Sequence, residues 1–260
     1  MDPARDGLLL GASALAGAVN AVAGGGTLLS FPVAIAWGLP SPIANATNAF
    51  AMAPGSLASA WAYRRELSGD GRRLTALLIA PTVAGAVLGA YIMRHTPERV
   101  FDALVPALVF GATLVILLQG LIARRSAVAR PDTHSRARTA ATISCQLAVG
   151  IYGGYFGAAM GIVMLAVLSL MATGDIHNRN AVKNLLSAAA NGVAAVTFAV
   201  YGMVDARAAL IMTPGAIIGG FVGAHLARRA PARVVRALVV AIGFGLSALL
   251  AYRAYARHAT

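Results

Sequence analysis

The 260-residue sequence has one cysteine, one lysine and only nine acidic residues. A lone cysteine, Cys145, allows no disulfide within the chain and no cysteine-based metal site. Charged residues make up 12% of the chain and hydrophobic residues 58%, and the mean hydropathy is +0.73. Soluble globular domains carry about 25% charged residues. The composition therefore excludes an ordinary soluble domain.

Long apolar stretches account for this composition. A membrane-spanning helix needs about 20 apolar residues, and the loops between the stretches are too short to hold a soluble domain. The sequence thus predicts an all-α, polytopic membrane protein embedded in the lipid bilayer. The eight stretches are residues 8–39, 42–63, 74–93, 100–123, 139–173, 180–204, 207–227 and 232–252.

The net charge of +12 comes mainly from twenty arginines. Many of them cluster in loops, at 64–73, 124–138 and 228–236. Basic loops beside membrane helices mark the cytoplasmic side. We therefore attribute the positive charge to membrane topology and not to nucleic-acid binding. The N-terminus lacks a basic region before its first apolar stretch, so this segment is expected to be retained rather than cleaved.

The two halves of the chain resemble each other. Gly17 matches Gly150 and Gly85 matches Gly219, at offsets of 133 and 134 residues. Duplication explains this match, and internal repeats are common in transporters. The sequence predicts two homologous four-segment halves joined by an arginine-rich cytoplasmic linker, with bounds 1–123, 124–138 and 139–260.

The first segment of each half is too long for one crossing. A helix of 32 residues spans about 48 Å, against a hydrocarbon core of about 30 Å. Glycines near the middle, Gly24 to Gly26 in the first half and GGYFG in the second, predict a broken helical hairpin. Each half then has an odd number of crossings, which predicts inverted repeats. This arrangement puts about 15 of the 21 basic residues inside, against about 13 for parallel repeats with single crossings.

Several functions are disfavoured by what the apolar segments lack. A nucleotide-binding loop needs Gly-Lys-Ser/Thr, but Lys183 is followed by Asn184. No catalytic Ser-His-Asp or Cys-His arrangement stands out, so we expect neither enzymatic activity nor a cofactor. Cation transporters usually hold a carboxylate in the membrane, and no acidic residue lies in the apolar centres. An anionic substrate fits best.

Lys183 is the only lysine, and it lies in an uncharged apolar stretch. Its segment, NAVKNLL, corresponds to NATNAF, which begins at Asn45. A cation held there favours an anion site, although the side chain could instead extend from a helix end to water. Asn48 and Asn184 could contact a ligand or join helices by hydrogen bonds.

Broken helices expose N–H groups and positive dipole ends, which bind anions. Ser41-Pro42 and Asn178 are predicted helix starts ahead of the two asparagine segments. Polar residues and glycines at matching places complete the candidate site. The candidate substrate-binding residues are Asn20, Gly24, Gly25, Gly26, Thr27, Thr47, Asn48, Gln146, Tyr152, Tyr155, Lys183 and Asn184.

These motifs resemble the TauE/SafE sulfite-exporter family across nearly the whole chain. The resemblance rests on GAVNAVAGGGTLLSFPVAIAWGLPSPIANATNAFAMAPGSLASAW, GIYGGYFGAAMGIVMLAVL and NRNAVKNLLSAAANGVAAVTFAVYG. It implies a carrier of sulfite, sulfoacetate or other organosulfonates in the bacterial inner membrane, with export as the expected direction. An anion-selective channel or passive facilitator is the alternative, and a homodimer is a candidate assembly.

Overall fold

The computed structural model describes residues 3–128, 136–171 and 176–226, together with 240, 241, 244, 245 and 247. Within the three continuous ranges the chain forms nine α-helices, which confirms the all-helical prediction. They are α1 (Pro3–Val22), α2 (Thr27–Trp37), α3 (Ser41–Ala62), α4 (Gly69–His95), α5 (Glu98–Val128), α6 (Arg136–Tyr155), α7 (Met160–Met171), α8 (Ile176–Val200) and α9 (Ala206–Leu226).

Three of the described helical segments are long and apolar enough to cross a membrane by length and composition, namely α4, residues 98–118 of α5, and α9. The remaining long helices carry more polar residues, many of them buried between helices. The chain is therefore a multi-pass helical membrane protein. The predicted loop 228–236 lies outside the described residues, as does most of the predicted segment 232–252.

Both long segments break where the glycines predict. α1 ends at Val22 and α2 begins at Thr27, whereas α6 ends at Tyr155 and α7 begins at Met160. Gly24 (φ +85°) and Gly157 (φ +73°) occupy equivalent positions of the two breaks, and each adopts the left-handed conformation that favours glycine.

Asp6 joins the ends of three helices. Trp37, at the end of α2, donates its indole N–H to Asp6 Oδ1 near the start of α1 at 2.9 Å. Arg207, in the first turn of α9, donates to Asp6 Oδ2 at 2.7 Å. One cluster thus holds the start of α1, the end of α2 and the start of α9 together.

The two halves interlock through close backbone contacts at small residues. Gly219 of α9 packs against the carbonyl of Ala14 in α1, and Gly85 of α4 packs against the carbonyl of Leu147 in α6. These contacts are equivalent in the two halves, because each first helix packs against the α4-type helix of the other half. The glycines allow this close approach, as small residues do in membrane helix pairs.

The equivalent helices α3 and α8 cross in opposite directions. Thr47, near the start of α3, accepts a hydrogen bond at its Oγ1 from the backbone N–H of Asp205, after the end of α8 (3.0 Å). Ser68, beyond the end of α3, donates its N–H to Asn178 Oδ1 in the first turn of α8 (3.1 Å). The predicted helix start at Ser41 is confirmed. The start at Asn178 is wrong, because α8 begins at Ile176 and Asn178 instead holds the α3–α4 loop.

Candidate functional site

A small polar cavity lies where both helix breaks meet α3 and α8. Its volume is about 10 Å³, which is room for about one water molecule. An oxyanion of four or more heavy atoms does not fit in a cavity of this size. Its wall includes Thr27, Asn45, Asn48, Gly153, Gly157 and Asn191.

Two asparagines of α3 are oriented by neighbouring helices. Ser30 of α2 donates its hydroxyl to Asn48 Oδ1 at 2.6 Å. Asn45 donates from Nδ2 to the backbone carbonyl of Tyr155 at 3.0 Å, at the end of α6. With its oxygen engaged by Ser30, Asn48 has its amide N–H groups left to donate to a ligand.

A serine links three helices beside the cavity. Ser56 Oγ accepts from Asn20 Nδ2 of α1 at 3.3 Å and from Asn191 Nδ2 of α8 at 3.4 Å. Ser56 is itself buried in α3. The two amide donors engage its oxygen, so in this structure Ser56 connects helices.

Lys183 lies at the first helix break. Its Nζ donates to the carbonyls of Asn20 (2.7 Å) and Ala21 (3.0 Å) in the last turn of α1. Asn184 Nδ2 also donates to the carbonyl of Ala21, at 3.4 Å. A helix C-terminus carries partial negative charge, so the amine stabilises the broken end of α1. Lys183 is completely buried, and its side chain does not extend to water.

The glycine triplet makes the crossing of the two breaks possible. A Cβ on Gly24 would lie 2.6 Å from the Cα of Gly161 in α7, and a Cβ on Gly26 would overlap the carbonyl of Ala16. Gly25 is buried, and its carbonyl accepts from Leu28 N–H at 3.2 Å. Gly26 caps α2 without a side-chain hydrogen bond. The positive end of α2 therefore begins next to Thr27 at the cavity.

The structure brings part of the predicted set together. Thr27 and Asn48 line the cavity, and Tyr155 contributes its carbonyl to the wall residue Asn45. The side chain of Asn20 reaches a cavity residue through Ser56. Lys183 and Asn184 lie at the end of α1 and do not line the cavity.

Three predicted residues make contacts away from the cavity. Gln146 donates to Thr82 of α4 at 2.9 Å, and Thr47 binds the backbone before α9. Tyr152 donates its hydroxyl to the carbonyl of Ala158 at 2.6 Å, which steadies the second break. It also borders an apolar groove of about 380 Å³ between α5, α6 and α7.

Sequence reasoning did not single out Ser30 or Ser56 as site residues. Neither residue falls on a duplicated motif, so no signal in the sequence marked them. Asn45 begins the asparagine segment of the first half, whereas Asn191 lies beyond the matching segment of the second half. The packing of α3 and α8 against the breaks places both asparagines in the cavity wall.

Apolar membrane-length helices, two helix breaks and a small buried polar cavity are features found in membrane transporters. The sequence pattern of the family described as "Sulfite exporter TauE/SafE" matches residues 9–250. The chain belongs to this family.

Curated relatives agree with this class. The chain is 27% identical over 254 residues to the "Probable membrane transporter protein YfcA" of Escherichia coli K12, covering 97% of this chain and 91% of that protein. It is 28% identical over 239 residues to the "Probable membrane transporter protein ORF9" of a Sinorhizobium species, with coverages of 91% and 88%. A "Probable membrane transporter protein" of Haemophilus influenzae is 23% identical over 238 residues, with coverages of 90% and 89%. No solved structure matches the chain.

Proposed function

We propose that this protein is a secondary transporter that moves small sulfur-containing anions, such as sulfite, sulfoacetate or related organosulfonates, across the bacterial inner membrane in the direction of export. The observation that carries the proposal is the small polar cavity where the two helix breaks cross. Its wall holds uncharged hydrogen-bonding groups and no acidic side chain. The family description names sulfite as the exported ion.

The groups around the cavity suit an anion. The N-terminus of α2 directs backbone N–H groups and the positive end of a helix dipole towards Thr27. Asn48 adds a side-chain donor, and the buried amine of Lys183 lies one helix turn from the first break. Sulfite and sulfonate oxygens are strong acceptors, so such donors can replace part of their hydration.

The cavity also favours a carrier over the alternative of an anion channel. Its walls enclose room for about one water molecule, whereas a channel needs a continuous aqueous path. Alternating access through two related halves explains how an enclosed site opens first to one side and then to the other.

We further propose that the halves, 1–123 and 139–260, are inverted repeats, each beginning with a re-entrant hairpin. The antiparallel crossing of α3 and α8 supports this arrangement, and so does the contact of the end of α2 with the start of α1. Arginines beside the α3–α4 loop, such as Arg64 and Arg72, then share one side with the start of α6. We assign this side to the cytoplasm.

The topology can be tested with paired cysteines at equivalent loops. In a Cys145→Ala background, Arg65→Cys follows α3 and Tyr201→Cys follows α8. We expect an impermeant maleimide to label Arg65→Cys from the cytoplasmic side only and Tyr201→Cys from the opposite side only. A permeant maleimide serves as the control and should label both. Labelling of both positions from one side would establish parallel repeats instead.

Ligand class can be tested by thermal unfolding of the purified protein. Sulfite, sulfoacetate and monosulfonates should raise the unfolding temperature in a saturable way, because a ligand that binds only the folded state stabilises it. Sodium, potassium and magnesium as chloride salts, at matched ionic strength, should leave it unchanged. Stabilisation by cations alone would refute the anion site.

A flux measurement in proteoliposomes distinguishes a carrier from a channel. Saturable exchange of labelled anion without conductance indicates a carrier, and conductance indicates a channel.

A further inference from the structure

Among the described residues, no acidic side chain pairs with Lys183. Its Nζ contacts two backbone carbonyls of α1, its stem approaches Gly161 of α7, and Asn184 follows it on α8. All these groups are neutral. Removing an unpaired charge from water costs several kcal/mol, so a permanently charged, completely buried lysine is unfavourable here while no anion is bound.

The helices packed around Lys183 offer few titratable groups. Along the described residues, α2 and α7 have none, and Asp6 of α1 lies at the opposite end of its helix. Tyr63 and Glu66 follow α3, and His177 and Arg179 lie in the first turn of α8. The rings of Tyr63 and His177 stack at 6.5 Å, and Arg179 donates to Ser169 of α7 at 3.0 Å. Among the described residues, no acidic side chain forms a hydrogen bond or ion pair with the amine.

The hydrogen bonds of Lys183 suit a neutral amine as well as an ammonium. A neutral amine has two N–H bonds, and in the described part of the chain two carbonyls accept from Nζ. An ammonium has a third N–H, which would need a further acceptor. An anion bound in the cavity would supply the negative charge that favours the ammonium form.

A short chain of contacts joins the amine to the cavity. The backbone of Asn20 accepts from Lys183, and the side chain of Asn20 donates to Ser56. Ser56 also accepts from Asn191, which lines the cavity. The amine is therefore coupled to the proposed anion site through three hydrogen bonds between buried groups.

We infer that Lys183 takes up a proton when an anion enters the cavity and gives it back when the anion leaves. The transporter then moves about one proton with each monoanion. In this step R–NH₂ and H⁺ form R–NH₃⁺, the proton comes from one aqueous phase and returns to the other, and no other bond changes. The ammonium and the anion cancel, so the loaded carrier is electroneutral. This inference rests on the proposed function.

The coupling is reciprocal. If protonation of Lys183 favours anion binding, then anion binding favours protonation by the same free energy. Net transport is therefore driven by the anion gradient and by the pH difference, and the membrane potential has no effect on a monoanion's flux. A periplasm more acidic than the cytoplasm opposes export, so export proceeds when the outward anion gradient exceeds the pH difference.

The test uses the purified full-length protein in liposomes that contain a pH-sensitive dye. The substrate is a permanently ionised monosulfonate, chosen from methanesulfonate, ethanesulfonate and isethionate by the largest thermal stabilisation. We expect uptake to acidify the lumen by about one proton per anion, an alkaline lumen to accelerate uptake, and a potassium–valinomycin potential to leave the rate unchanged. Uptake without acidification, at a rate that follows the potential, would overturn the inference.

Self-exchange of labelled monosulfonate separates this inference from the proposed function. Exchange needs no net proton movement, so exchange without proton-linked uptake rejects proton coupling and leaves the transporter proposal in place. Absence of both exchange and uptake rejects the proposed function and proton coupling with it.

Lys183→Arg tests the residue itself. Arginine keeps its charge and does not lose its proton in proteins. We expect exchange to persist while net uptake falls by about tenfold or more. Arg73→Gln, which removes an exposed charge at the start of α4, should behave like the parent. Proton-linked uptake by a folded Lys183→Arg variant would show that Lys183 does not carry the proton. If that variant does not fold, the proton flux of the parent protein tests proton coupling instead.

Discussion

Replacing Lys183 with alanine is expected to lower anion affinity and transport by about one to two orders of magnitude. A hydrogen bond to a charged group contributes roughly 1.5–3 kcal/mol net, and this variant loses both the proton carrier and the donor that holds the end of α1. The carbonyl of Asn20 loses the hydrogen bond from Lys183, whereas the carbonyl of Ala21 keeps the amide of Asn184. The measurement is labelled-sulfonate binding and exchange in proteoliposomes.

Two variants separate the causes of this loss. Lys183→Met removes the charge and the hydrogen-bond donor, so this variant should lose transport. Because methionine keeps most of the side-chain volume, Lys183→Met leaves a smaller cavity than Lys183→Ala does. Asn48→Ala, in the matching segment of the first half, removes one neutral group and should cost less. If Lys183→Ala exchanges anions like the parent, the site depends on backbone N–H groups alone.

Replacing Gly24 with alanine is expected to destabilise the protein by about 2–5 kcal/mol and to abolish transport. A left-handed conformation costs a non-glycine residue about 1–2 kcal/mol, and Gly24 has φ +85°. The new Cβ would also meet the backbone of Gly161 at 2.6 Å. Backbone cannot rotate away as a flexible side chain can, so the two breaks would have to separate.

A matched glycine of α8 provides the control for Gly24→Ala. Gly192 lies inside a regular helix, and a Cβ there would have no heavy atom within 4 Å. Because glycine weakens a helix interior, Gly192→Ala should be neutral or stabilise the protein by up to about 1 kcal/mol. Thermal unfolding and sulfonate exchange measure both variants. Equal unfolding temperatures for Gly24→Ala and the parent would refute the close crossing of the breaks.

Much of the fold could be predicted from the spacing of apolar residues and glycines along the chain. The apolar stretches predicted the helices, and the glycines predicted where two of them break, because hydropathy and backbone freedom act over a few neighbouring residues. The boundaries of α3 and α9 fall within one residue of the predicted segments 42–63 and 207–227. The start of α8 was misplaced because Asn178 uses its side chain for a contact with Ser68, 110 residues away.

The sequence by itself determined the membrane class, the positions of the breaks and the resemblance to the family, and it predicted a duplication. Tertiary structure decided which polar residues meet. It placed Asn48 and Asn191 at one cavity, sent Gln146 and Thr47 to other partners, and joined Lys183 to the carbonyl of Asn20, 163 residues away. These pairings depend on which helix faces pack closely through glycines of the opposite half, and no local pattern encodes that choice of partner.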